Sequence, residues 1–218
     1  MRGARTLVLV LAASPLAGCE RAAGRTLHYA GGSPWSRVRF VDGVPHGSWI
    51  TWYVSGQMES AGRYARGRRD GEWMTWYENG TLQSRGSFER GAPDGEWRFW
   101  FPDGKPASVE HYRAGRLDGA TSEWYGSGVL RAEVEFVEGE QHGLSRRYHA
   151  NGELRDEFTF DHGLREGPQR SWFESGQLLS EGECSRGLHT GRWTFYRWNG
   201  EVNERLSGLY ENGARVGP

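Results

Sequence analysis

The stretch GEWMTWYENGTLQSRGSFERGAPD, residues 71–94, decides the fold. It opens on Gly71-Glu72-Trp73, carries Trp76 and Tyr77, turns at Asn79-Gly80, runs through Leu82, Gly86 and Phe88, and turns again at Gly91. At Gly95 the same pattern restarts. Gly47, Gly71, Gly95, Gly119, Gly143, Gly167 and Gly191 follow one another at a period of 24 residues without a gap. A second glycine stands nine residues after each, from Gly56 to Gly200. Five residues after each opening glycine come Trp52, Trp76, Trp100, Trp124, Tyr148, Trp172 and Tyr196. A further column holds Tyr64, Phe88, Tyr112, Phe136 and Phe160, with Cys184 in its sixth place. Self-similarity at a fixed period of this length marks a repeat architecture.

Within one unit the residues after the opening glycine are β-formers, Glu72-Trp73-Met74-Thr75-Trp76-Tyr77 in the second. A two-residue turn signal follows: Ser55-Gly56, Asn79-Gly80, Asp103-Gly104 and their equivalents to Asn199-Gly200. Asn-Gly and Asp-Gly between strand-like runs are strong hairpin signals, because a tight turn needs positive φ. A second strand through Leu82–Phe88 ends in a glycine-containing turn closed by Asp94, as other units close on Asp70, Asp118, His142, Glu166 or Thr190. The spacing therefore predicts an all-β fold, an elongated repeat array of about seven 24-residue β-hairpins forming one continuous antiparallel sheet. A lone hairpin is marginal in water, so each unit depends on its neighbours. Two strands per unit at a spacing of about 4.8 Å make seven units roughly 65–70 Å long before twist. From Trp35 the pattern enters halfway, with Phe40 and Gly43 in register, which predicts one strand that starts the sheet.

The 33 glycines and 11 tryptophans among 218 residues are consumed by the repeat. Mean hydropathy is low, but the aromatic content argues against disorder. A formal net charge of −1 excludes a nucleic-acid partner held by bulk electrostatics. Residues 1–18 open with Arg2 and Arg5 and carry an apolar run, Leu7 to Ala13, too short to span a bilayer. They read as a secretory signal. It ends in Leu16-Ala17-Gly18-Cys19, which resembles the bacterial lipobox. That resemblance implies cleavage before Cys19, lipidation of its sulfur and a stable anchor of more than one acyl chain. Glu20 rather than Asp follows the cysteine, which favours the outer over the inner membrane, facing the periplasm. Residues 19–34 then form the lipidated cysteine and a flexible tether, and 35–218 the repeat domain.

Gly-x-Trp-x-x-Trp-Tyr-x-Asn-Gly followed by Gly-x-Phe/Tyr-x-x-Gly resembles the bacterial variant of the MORN repeat, over about residues 36–217. The resemblance implies stacked hairpins that serve as scaffolds and binding modules, some of them associated with membranes or phospholipids. Related bacterial proteins carry an antitoxin label. The tryptophan pattern is fullest in the first three units. Where Trp49, Trp73 and Trp97 stand, the next three units have Thr121, Ser145 and Gln169, and Trp193 restores the column. The expected role is non-catalytic: a membrane-anchored scaffold that binds a protein partner in the cell envelope. Direct binding of envelope glycan or phospholipid and neutralisation of a toxin are the alternatives.

Strand alternation puts positions 2 and 6 of a unit on one face and position 5 on the other. Trp49, Tyr53, Trp73, Tyr77, Trp97 and Phe101 are therefore the candidate binding face. Aromatic ladders that serve only the fold explain the same columns. The seven histidines share no ligand spacing, so no metal site is expected, and no cofactor is implied. Asp70, Asp94 and Asp118 recur once per unit beside a turn and read as backbone caps rather than a catalytic pair. No nucleophile elbow or phosphate-cradling motif is present, so an enzyme is not expected. Cys184 reads as a small buried hydrophobe, with an intermolecular disulfide as the other reading.

Overall fold

The computed structural model describes residues 23–218. The signal segment 1–18 and Cys19 lie outside the described residues. The strands are β1 Ala23–His28, β2 Pro34–Val41, β3 Val44–Trp52, β4 Met58–Ala65, β5 Arg68–Trp76, β6 Leu82–Glu89, β7 Ala92–Trp100, β8 Pro106–Arg113, β9 Arg116–Leu117, β10 Gly119–Trp124, β11 Leu130–Val137, β12 Glu140–Gln141, β13 Gly143–Tyr148, β14 Leu154–Asp161, β15 Leu164–Trp172, β16 Leu178–Ser185, β17 Leu188–Phe195, β18 Gly208–Glu211 and β19 Ala214–Gly217. All pairings are antiparallel and between strands close in the chain, and together the strands make one open sheet of 19 strands among the described residues. β9 and β12 are short leads into β10 and β13, which also pair directly with β8 and β11. The all-β hairpin array expected from the period is the fold observed.

Two turns alternate along the array, and their roles are the reverse of the sequence expectation. The tight two-residue turn is the one whose second residue is Gly67, Gly91 or Gly115. In it Arg66, Arg90 and Ala114 share positive φ with the glycine that follows. Arg68 accordingly pairs with Ala65 directly across the turn. Consecutive positive φ values match the right-handed twist of the flanking strands. The Asn79-Gly80 turn is a five-residue loop, in which Tyr77 N–H donates to Thr81 O at 2.9 Å and Gly80 N–H to Tyr77 O at 2.9 Å. Only Gly80 there has positive φ. The opening glycine lies inside a strand: Gly71 sits in β5 at φ 70°. Pairing across β4 and β5 slips beside it, between Ala61 and Arg63. This bulge recurs at the same place in unit after unit.

Residues 23–28 also correct the expected tether. They form β1, paired with β2 from Ala23↔Phe40 to Leu27↔Ser36. Ala23 occupies the opening position, and the loop after β1 has the same bonds as the others, Tyr29 N–H to Ser33 O at 2.8 Å and Gly32 N–H to Tyr29 O at 2.9 Å. Among the described residues the sheet therefore begins with a full hairpin rather than a single strand.

Five of the loops are tied to the next unit by the side chain of one column. Tyr29, Tyr53, Tyr77 and Tyr125 donate their hydroxyls to the carbonyls of Trp52, Trp76, Trp100 and Tyr148 at 2.7–2.9 Å. His149 Nε2 makes the equivalent contact with Trp172 O at 2.9 Å. Phe101 stands in this column without a hydroxyl. Phe101→Tyr is expected to add the missing bond to the following unit and to stabilise the fold by about 1 kcal/mol, read as a rise in the urea midpoint at unchanged slope.

Candidate functional site

One face of the sheet carries a ladder of rings. Trp49, Tyr64, Trp73, Phe88 and Trp97 meet edge to face in that order, with centroids 5.0–5.9 Å apart and planes at 67–89°. Each such pair adds about 0.5–1.5 kcal/mol beyond the area it buries. Two glycines make the ladder possible. A Cβ on Gly62 would lie 2.3 Å from Trp73 Cδ2, and one on Gly86 would lie 2.1 Å from Trp97 Cδ2. The indole lies flat on bare backbone. Its Nε1–H donates to a carbonyl ten residues back, Trp73 to Arg63 O at 3.1 Å and Trp97 to Ser87 O at 3.0 Å. Beneath the rings, Thr51 and Thr75 share hydroxyl bonds of 2.6 Å with Ser60 and Ser84.

Where the tryptophan is missing, the glycine is missing too. Thr121 and Ser145 follow Glu110 and Val134 at the same separation of eleven residues, and Gln169 pairs directly with Phe158. A large side chain on one strand replaces the large side chain on the next. Gln169 also reproduces the indole bond, its Nε2 donating at 3.4 Å to Thr159 O, ten residues back. Among the described residues the Thr121 and Ser145 hydroxyls have no hydrogen-bond partner. Trp193 over Gly182, with Nε1–H on Glu183 O at 2.7 Å, restores the first arrangement. From Trp73 onward the columns eleven apart change together, whereas Trp49, which pairs with Val38, stands outside the rule; the sequence reading missed this coupling, and Gly62, Gly86 and Gly182 were its signal.

The ladder edges a shallow hollow of about 220 Å³ lined by Arg69, Trp73, Phe88, Pro93, Trp97, Phe99 and Tyr112 among others. Arg69 Cζ lies 4.7 Å from the Trp73 ring centroid and 5.1 Å from that of Phe88. At the other rim the Tyr112 hydroxyl donates to Glu110 Oε2 at 2.6 Å. Burial, reinforced by that carboxylate, pushes the Tyr112 phenol up to about 12. A second hollow of about 290 Å³ opens where the tryptophans stop, lined by Thr121, Glu123, Arg131, Arg147 and Arg155 among others.

The six residues expected to form a binding face separate. Trp73 and Trp97 line the hollow, but they are only 4 % and 8 % exposed, and Trp49 is half-buried. Tyr53, Tyr77 and Phe101 do not join them. Strand alternation ends at Trp52, Trp76 and Trp100, the last residues of β3, β5 and β7, so the tyrosines belong to the loops. Phe99, Arg69 and Tyr112 instead give the hollow its accessible edges. The histidine reading changes as well. His142, Asp161 and His162 each place a donor atom within 4.8 Å of the others. Cys184 is buried, and burial raises its thiol pKa, in keeping with a core side chain.

These features define a class of protein, an all-β hairpin-repeat scaffold whose side chains mainly hold one unit to the next. The MORN repeat variant matches four segments of the chain, residues 69–90, 93–114, 141–162 and 165–183. The first three of these run from one tight turn to the next and contain one five-residue loop. The matches include the fifth and sixth units, in which Ser145 and Gln169 replace tryptophan while the turn glycines persist. No curated protein matches this chain.

Proposed function

We propose that this chain is a non-catalytic lipoprotein of the bacterial cell envelope, anchored through Cys19 and facing the periplasm, whose repeat sheet binds a protein partner. The outer membrane is the favoured location. The observation that carries the binding reading is the hollow edged by Arg69, Phe99 and Tyr112. Its side chains are of the kinds that dominate protein–protein hot spots, arginine and aromatic rings on a rigid base. At about 220 Å³ it lies below the range of roughly 300–1,000 Å³ usual for small-molecule pockets. It has room for one or two side chains of a partner, and the second hollow offers a polar rim beside it.

A photo-crosslinking residue at Phe99 of the full-length, membrane-anchored protein tests this in cells. Arg98, which alternates to the other face of β7, is the control position. One dominant protein adduct at position 99 and none at 98 is the expected result. A toxic protein in that adduct selects the antitoxin or immunity reading. Adducts only with glycan or phospholipid overturn the protein-scaffold reading and move the function to direct binding of envelope polymer or lipid.

A further inference from the structure

The fold repeats one corner in every unit, where the residue before the opening glycine meets the next tight turn. In two corners that residue is an acid that caps the turn. Asp94 Oδ1 accepts Ala114 N–H at 3.0 Å, and Glu166 Oε2 accepts Arg186 N–H at 2.8 Å. Between them lies a corner with different chemistry. The cap is His142, the turn residue is His162, and the residue before the turn is Asp161. His162 Nδ1 lies 2.8 Å and His142 Nδ1 3.4 Å from Asp161 Oδ1. The two imidazoles meet edge to face at 5.6 Å. Among the described residues, this is the one group of three metal-ligating side chains whose donor atoms converge. Glu135 adds negative charge, its Oε2 lying 3.0 Å from where a Cβ on Gly143 would stand.

We propose that His142, Asp161 and His162 form a zinc-binding site. Two imidazoles and one carboxylate are a zinc donor set, with water completing a tetrahedron. Bonds of about 2.0–2.2 Å set the ligands of a tetrahedral zinc about 3.3 Å apart. The 3.4 Å and 2.8 Å separations bracket that value, so small side-chain rotations admit the ion. The ion replaces the His162–Asp161 hydrogen bond and ties His142, the last residue before the unit that begins at Gly143, to the tight turn after β14. The residues are not separated by any recognisable ligand spacing, because the register of β13 on β14 brings together positions 19 and 20 residues apart.

Titration of the full chain with zinc chloride, followed by calorimetry and by the visible bands of a cobalt(II) substitute, tests the site. Binding of one equivalent is expected. His142→Ala and His162→Asn are each expected to weaken it more than about 10-fold, and Asp161→Asn to do the same. Asparagine suits position 162, because φ there is 46°. The side chains are solvent-accessible, so circular dichroism of the variants should match the wild type. Absence of one-equivalent binding, or unchanged binding in the His142→Ala/His162→Asn double variant, overturns the assignment.

Discussion

Gly86→Val is expected to destabilise the protein by about 3–5 kcal/mol, and Trp97→Ser to relieve that loss. A Cβ at position 86 would stand 2.1 Å from Trp97 Cδ2 and 2.5 Å from Trp97 Cγ, so the indole cannot keep its place. Expelling it forfeits the burial of a tryptophan that is 8 % exposed, its bond to Ser87 O and its contact with Phe88. Loss of a buried tryptophan costs about 3–5 kcal/mol. Trp97→Ser alone costs a similar amount, because it leaves an empty space over bare backbone. The double variant recreates the pairing that the chain already uses at Val134 and Ser145. It should be no less stable than either single variant, which requires a favourable coupling of at least about 3 kcal/mol. Urea unfolding of the four proteins measures this. Strict additivity would show that the two columns are independent and that their joint change along the chain has another cause.

Much of this fold was legible because a repeat compares a sequence with itself. The 24-residue period, two strands per unit and open antiparallel sheet follow from the glycine and aromatic columns. The turn types were not legible. Asn79-Gly80 has the composition of a two-residue turn, yet the loop takes in Tyr77 to Thr81 because Trp76 pairs with Leu82. From Gly67 to Gly187 the tight turn has Arg, Ala, Glu or His before its glycine, residues that carry no turn signal and hold positive φ because both flanking strands are paired. The first hairpin was hidden because Ala23 stands where other units have glycine, although Tyr29 and Gly32 kept the register.

The site was less legible than the fold. Trp73 and Trp97 were selected as rings on an exposed face, and whether a ring is exposed depends on what lies under it. Glycine eleven residues earlier lets the indole lie flat and disappear from the surface. Arg69 and Phe99 were invisible as a pair, because they come from β5 and β7 and meet only across the sheet. The corner of His142, Asp161 and His162 was hidden for the same reason. Sequence spacing finds ligands on one element, whereas here strand register supplies the proximity.

The second large effect is expected at the C-terminal end of the array, where Trp193→Ala should release β18 and β19 while the earlier units stay folded. β17 and β18 share only three paired positions, Gly191↔Tyr210, Arg192↔Leu209 and Trp193↔Gly208. Trp193 anchors that junction. It lies over Gly182, donates to Glu183 O, and stacks on His189 at 3.8 Å and on Phe195 at 5.5 Å. Its removal should cost about 3–5 kcal/mol. Coupling in a repeat array runs between neighbours, so the loss should stay local. Hydrogen exchange is expected to show lost protection from Gly191 onward and unchanged protection in β3 to β8. His189 makes the same junction sensitive to acid. Burial, and then the charge of Arg165, lower its pKa below the ordinary 6.5. As pH falls through 6.5 the unfolded end takes up a proton that the folded end refuses, so stability is lost from there down to the depressed folded value. Protection of β17 to β19 should therefore decline on acidification from about pH 7.5 to about pH 5, in the range where a histidine titrates. His189→Phe, which keeps a ring against Trp193 without a titrating nitrogen, should abolish that part of the decline. If the variant loses protection with acid as the wild type does, carboxylates elsewhere control the end and His189 does not.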